Sequence, residues 1–169
     1  MANEAVRASA NRILDVTLTL DTANAYSAND VLAATQEIPG AVPNGRSATL
    51  TSIRLVDYAK NNSALELWFL DSDVSIGTEN SAEGAADSIS SYLLTTVDFA
   101  AADYTSEANW SRAIKTSANG DSGMGALMTP ATTVGEVRDT SLYIGAKIIS
   151  DAKTYGAGDI RLKIGLKVG

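Results

Sequence analysis

The chain has 169 residues, a net charge of −7 and neither histidine nor cysteine, so it lacks the side chain that shuttles protons at neutral pH and the thiolate that serves as nucleophile. Hydrophobic residues at 45% against 20% charged describe a core-forming globular protein, and this length fits a single domain burying about 70% of its unfolded surface. A pI near 4.5 argues against nucleic acid as a partner, since phosphate binding needs clustered cations; the missing cysteines exclude a disulfide framework and argue against zinc and iron–sulfur centres, leaving only carboxylate sites for calcium or magnesium open.

The first residues, Met1 to Arg12, contain no apolar central run of the kind a signal peptide needs, and no stretch of about 18 consecutive apolar residues follows that would cross a membrane. The expectation is a soluble protein made in the cytoplasm with no membrane partner, a flexible arm over residues 1–12 and one domain over 13–169.

From Ile13 to Asp21, Leu14, Val16, Leu18 and Leu20 alternate with Asp15, Thr17 and Thr19, the period of a half-buried strand. A second strand is expected over Val31 to Thr35. Ser47 to Tyr58 and Ala64 to Asp71 are β-rich runs joined by Lys60-Asn61-Asn62-Ser63; the asparagines suit left-handed turn conformations, and the pair reads as a hairpin. Ser88 to Phe99, Ala113 to Thr116, Ala126 to Met128 and Ser141 to Ile149 supply further strands. In the last segment Ile160, Leu162, Ile164, Leu166 and Val168 point one way, with Arg161, Lys163 and Lys167 on the other face. Helix is expected only as a turn or two over Ala82 to Asp87 and Thr105 to Arg112, the second capped by Thr105 or Ser106. Pro39, Pro43 and Pro130 fall in loops or at strand edges. About eight short strands with turn signals between them predict an all-β fold: an antiparallel sandwich, jelly-roll-like, with one or two short helical turns.

Gly120-Asp121-Ser122-Gly123 has the letters that surround a chymotrypsin-like nucleophile, but the hydroxyl needs a base, and that fold uses histidine. Met124 also breaks the lipase-type elbow, and nothing local places Lys115 or Lys147 beside Ser122, so the segment reads as a glycine-rich surface loop. Asp71, Asp73, Glu79 and Glu83 lack the spaced oxygens of a calcium loop and read as solvated charges. No catalytic residue, metal ligand or cofactor is assigned.

In Leu65-Glu66-Leu67-Trp68-Phe69-Leu70 the odd positions face the core, which sends Trp68 and Leu70 outward beside Glu66. Either a loop of the same chain covers them or they form a subunit contact. Trp110 invites the same two readings. The row Arg161, Lys163 and Lys167 is a basic stripe on an acidic protein: an edge guarded by lysine, or a contact for an acidic partner. Trp68, Leu70, Trp110, Arg161, Lys163 and Lys167 are thus the candidate interface residues.

Tyr26-Ser-Ala-Asn-Asp30-Val-Leu32, Thr51-Ser-Ile-Arg-Leu-Val-Asp57, Leu65-Glu-Leu-Trp-Phe-Leu-Asp71 and Asp159-Ile-Arg-Leu-Lys-Ile-Gly-Leu-Lys-Val168 together resemble proteins encoded in the head genes of tailed bacteriophages, among them capsid decoration or cement proteins. The resemblance covers most of the chain from Ile13. It implies a β-sandwich that binds the major capsid protein on the outside of the virion as a homodimer or homotrimer and bridges capsomers without catalysis. It implies no active-site residue and no cofactor, and it assigns nothing to the loop over Ser75 to Ser88. The arm before Ile13 is then expected to order against the capsid or a neighbouring subunit. A glycan-binding module, with Trp110, Tyr104 and Tyr155 as a stacking platform, and a tail or adaptor protein of the virion are the other readings; an enzyme without histidine or cysteine is the weakest.

Overall fold

Alternating apolar and polar residues can bury one face of a strand only if a second sheet covers it, and the chain solves this with two antiparallel sheets. The computed structural model describes residues 10–43, 46–84, 87–131, 140–150 and 153–169. Its strands are β1 (Ala10–Thr17), β2 (Val31–Ile38), β3 (Ala48–Asp57), β4 (Leu65–Leu70), β5 (Leu93–Phe99), β6 (Thr105–Ser106), β7 (Ser111–Thr116), β8 (Leu127–Met128), β9 (Leu142–Ile148) and β10 (Ile160–Val168). Most of the expected arm, residues 1–9, lies outside the described residues; Ala10, Asn11 and Arg12 already belong to β1.

One sheet runs β1-β10-β3-β7-β6, with β8 beside the start of β3, and the other runs β2-β9-β4-β5. The antiparallel pairs nest: β1 with β10, β2 with β9, β3 with β7, β4 with β5. A chain doubled back on itself and then rolled, so that successive pairs fall alternately in the two sheets, is a jelly roll. The fold class read from the sequence is therefore the one observed.

The hairpin expected between the third and fourth strands does not form. β3 pairs with β10 and β7, whereas β4 pairs with β9 and β5, so the connection carries the chain from one sheet to the other. Its left-handed residues are present, Lys60 at φ 55° and Asn62 at φ 51°, but they shape a corner. The fully buried Asp57 ends β3 and holds that corner, its Oδ2 accepting the Asn62 N–H at 2.8 Å. The helical turns are also displaced. Short 3-10 turns form at Asp87–Ser91, Ala101–Asp103 and Ser117–Asn119, while residues 105–112 give β6, a turn and the start of β7. Pairing of Thr105 and Ser106 with Arg112 and Ser111 captures backbone groups that a one-turn helix would leave open.

The inner faces meet in one core that includes Tyr26, Phe69, Phe99, Leu55 and Ile164. Leu65, Leu67 and Phe69 face it as expected. Trp68 and Leu70 point the other way, yet both are buried, Leu70 completely. The segment after β4 folds over the outer side of the four-stranded sheet, and Ile76 and Ile89 with Val31 close a second cluster over these two residues. The covering reading is the correct one, and neither residue is available to a partner in this structure. No helix among the described residues is long and apolar enough to cross a membrane.

Candidate functional site

Among the described residues nothing covers the outer face of the six-stranded sheet in this way. Cross-strand register places Asp15, Lys163, Arg54 and Ile114 in one row, and Thr17, Arg161, Val56 and Arg112 in the next. Residues opposite one another in a sheet share a face, so these two rows bring together side chains from β1, β10, β3 and β7. A third row joins Lys167 to Thr49 and through it to Leu127. Arg161, Lys163 and Lys167 thus point outward, as the alternation of the last strand predicts. Arg54 and Arg112 enlarge the stripe; they escape a one-strand reading because only the β3 and β7 register aligns them with it.

Aromatic rings line one end of this face. The Arg161 guanidinium lies 5.1 Å from the centre of the Tyr58 ring, and that of Arg112 lies 5.9 Å from the Trp110 ring, both within the range in which a cation is drawn to the π face. Arg54, Val56, Tyr58 and Trp110 line a concavity of about 320 Å³. A second of about 320 Å³ adjoins it and extends to Asp15, Arg161 and Lys163. Lys163 is ion-paired with Asp15, and Arg112 reaches Glu107 at 3.8 Å. Both pairs lie open to solvent, where such bridges contribute little. The face therefore combines weakly paired cations with apolar surface.

Local structure fixes the aromatics. Tyr58 follows β3, and its N–H donates to the Asp159 carbonyl at 2.8 Å. The Trp110 carbonyl accepts the Glu107 N–H at 2.8 Å, closing the turn between β6 and β7. The expected stacking platform does not assemble: Tyr155 is 3% exposed, and Tyr104 packs against the core with its hydroxyl donating to the Ser63 carbonyl at 2.9 Å. Burial raises the phenol of Tyr155 to about 12 and that of Tyr104 further. Both serve a buried polar network beside Asp57, whose carboxyl is pushed up by desolvation.

The glycine-rich loop is structural. The Asp121 Oδ2 accepts the Thr116 N–H at 2.7 Å, Gly125 N–H donates to the Leu50 carbonyl at 2.8 Å, and Met124 packs on the core. Gly123, at φ 76°, lies so close to β5 that a Cβ would overlap the Thr96 carbonyl. The loop thus ties the two sheets together beside Ser122.

The four loop carboxylates are likewise spread out. Glu83 pairs with Lys147 at 2.8 Å, Glu79 accepts the Ala34 N–H at 3.3 Å, Asp71 accepts the Ser72 hydroxyl at 2.8 Å, and Asp73 is exposed. Desolvation lowers the Lys147 ammonium, but its bonds to Glu83 and Glu66 outweigh that and raise it. Among the described residues no group of three or more acidic side chains is arranged to hold a metal ion.

No protein-family model and no curated protein matches this chain. Among solved structures it is similar to a chain in the X-ray structure of tomato aspermy virus, at 13% identity and a TM-score of 0.42, over 99% of this chain and 81% of that one.

Proposed function

We propose that this chain is a structural protein of a phage virion that binds the outside of the capsid as a homo-oligomer and stabilises the shell by bridging capsomers. The observation that carries the reading is the outer face of the six-stranded sheet, which no described residue covers and where cations alternate with large apolar side chains on an otherwise acidic protein. Such a surface suits contact with another protein. The sequence resemblance to head-gene proteins supplies the setting, and a jelly roll supplies a stiff platform that viral capsid domains also use. The mechanism is mechanical: each copy adds buried area across a seam between capsomers, and symmetry multiplies that contact over the shell. It works without cofactor or catalysis.

The test is titration of intact heads with the purified chain. Binding should saturate at a fixed ratio and delay disruption of the heads by heat or chelator. Failure to bind, or binding without protection, would remove the reading.

A further inference from the structure

The sandwich is electrically two-sided. Five of the chain's thirteen basic residues, Arg54, Arg112, Arg161, Lys163 and Lys167, lie on the outer face of the six-stranded sheet. That face carries a single acidic strand residue, Asp15. The opposite side is the reverse. Residues 71–84 and 87–92, from which Ile76 and Ile89 cover the four-stranded sheet, contain Asp71, Asp73, Glu79, Glu83 and Asp87 and no lysine or arginine. Beside them Glu66 of β4 stands between Asp98 of β5 and Lys147 of β9; Lys147 pairs with Glu66 at 3.1 Å and Glu83 at 2.8 Å, and Asp71, Asp73, Asp87 and Asp98 leave this side acidic.

The exposed apolar side chains divide in the same way. Ile13, Tyr58, Ile114 and Leu127 lie on the basic face, Ile13 at 64% and Leu127 at 62% exposure. Tyr92 and Ile149 lie on the acidic side, where Ile149 lines a shallow concavity with Ala64, Glu66, Asp98 and Ala100. Both sides thus carry what a protein contact needs, apolar surface with charge around it, and the charges are complementary.

We infer that the chain associates with itself head to tail, the basic outer face of the six-stranded sheet of one copy receiving the acidic side of the next. The occupant is a second copy because the same molecule presents both complementary surfaces. Four strands about 4.8 Å apart and roughly 27 Å long give a face of roughly 500 Å² in plan. With side-chain relief that approaches the ~800 Å² each partner contributes to an ordinary interface. The two surfaces are on opposite sides, so the contact is heterologous and leaves each end free to add another copy, closing into a ring or growing as a column according to the angle. This inference deepens the homo-oligomer in the function proposed above and rests on that reading for its biological setting.

Sedimentation velocity on the purified chain tests it. At about 0.01 M salt the wild type should sediment above its 17.6 kDa monomer mass in a concentration-dependent way, and at about 1 M salt it should return to monomer, because screening shortens the reach of the charges. Two exposed-residue variants then define the contact. Arg161→Gln with Lys163→Gln weakens one side; Asp73→Asn, Asp87→Asn and Asp98→Asn together weaken the other. Each variant alone should be monomeric, and an equimolar mixture should give a 1:1 pair and nothing larger. The wild-type salt series does not depend on the variants folding.

A monomeric wild type at low salt would overturn the inference, as would a variant that still dimerises alone, or a basic face that binds a short DNA duplex in preference to a second copy. A wild type monomeric at low salt that still saturates heads would sink the head-to-tail contact and leave the capsid reading standing. Salt-sensitive assembly that passes the mixing test but ignores heads would support the contact and remove the capsid reading.

Discussion

Ile76 lies across Gly145, so close that a Cβ on the glycine would overlap its Cδ1 and Cγ1. Gly145 sits opposite Trp68 in the β4–β9 register, so the missing side chain opens the slot through which the covering segment reaches the tryptophan. Gly145→Ala should expel Ile76 and loosen the second cluster. Overpacking of this kind costs about 1–3 kcal/mol, and at roughly 2–4 °C per kcal/mol for a domain of this size the melting temperature should fall by several degrees. Calorimetry would show it, with the tryptophan emission shifting red.

Trp68→Ala tests the same cluster from the other side. Removing a buried indole costs about 3–5 kcal/mol, and the loss should appear as lower stability to urea. Oligomer mass by light scattering should not change, because the covering residues Ile76 and Ile89 belong to the same chain. Altered assembly with unaltered stability would contradict the burial of Trp68.

Neighbouring substitutions in the glycine-rich loop should behave in opposite ways. Ser122→Ala should leave stability within about 0.5 kcal/mol of wild type, as surface changes usually do. Gly123→Ala combines a left-handed backbone with a clash against the Thr96 carbonyl and should cost more than about 1 kcal/mol. Paired urea titrations of the two variants separate a structural loop from a reactive one.

Asp57 predicts an unusual pH dependence. Desolvation raises its carboxyl above the ordinary 3.8, though backbone N–H groups of the corner, Asn62 foremost, partly oppose it. A raised folded value means the folded state takes up the proton first, so this group contributes most below 3.8 and loses that contribution as pH rises through its folded value. The stability of the wild type relative to Asp57→Asn should therefore increase as pH falls from 7 toward 4. Asp103 runs the other way. Desolvation raises it, but Lys115 at 2.8 Å and the Ala100 N–H outweigh that and hold it low, so its contribution persists until pH falls below 3.8. Denaturant midpoints from pH 7 to well below 3.8 for wild type, Asp57→Asn and Asp103→Asn check both signs.

The strands were legible because their alternation is clean. Leu162, Ile164 and Leu166 face inward and Arg161, Lys163 and Lys167 outward, as a period of two requires. What the letters of one segment cannot carry is the partner of that segment. Lys60 and Asn62 adopt the left-handed conformations their sequence suggests, yet such residues serve a hairpin and a corner between sheets equally well. Local signals therefore do not distinguish them. Trp68 shows the same limit: its outward direction follows from the β4 alternation, but its burial depends on Ile76 and Ile89, which a separate loop delivers. The basic face was half visible, as Arg161, Lys163 and Lys167 share one strand, while Arg54 and Arg112 join them only through register.

The last strand occupies an interior place, hydrogen-bonded to β1 on one side and β3 on the other. Until the ribosome has released Ile160–Val168, the opening strand has no neighbour in its sheet and β3 keeps one edge bare. Ordering of this sheet must then wait for the last strand, and a topology so rich in distant pairings folds slowly. Nascent copies would pass through a stage with unsatisfied strand edges, the period in which crowding invites misassembly and a chaperone would have most to protect.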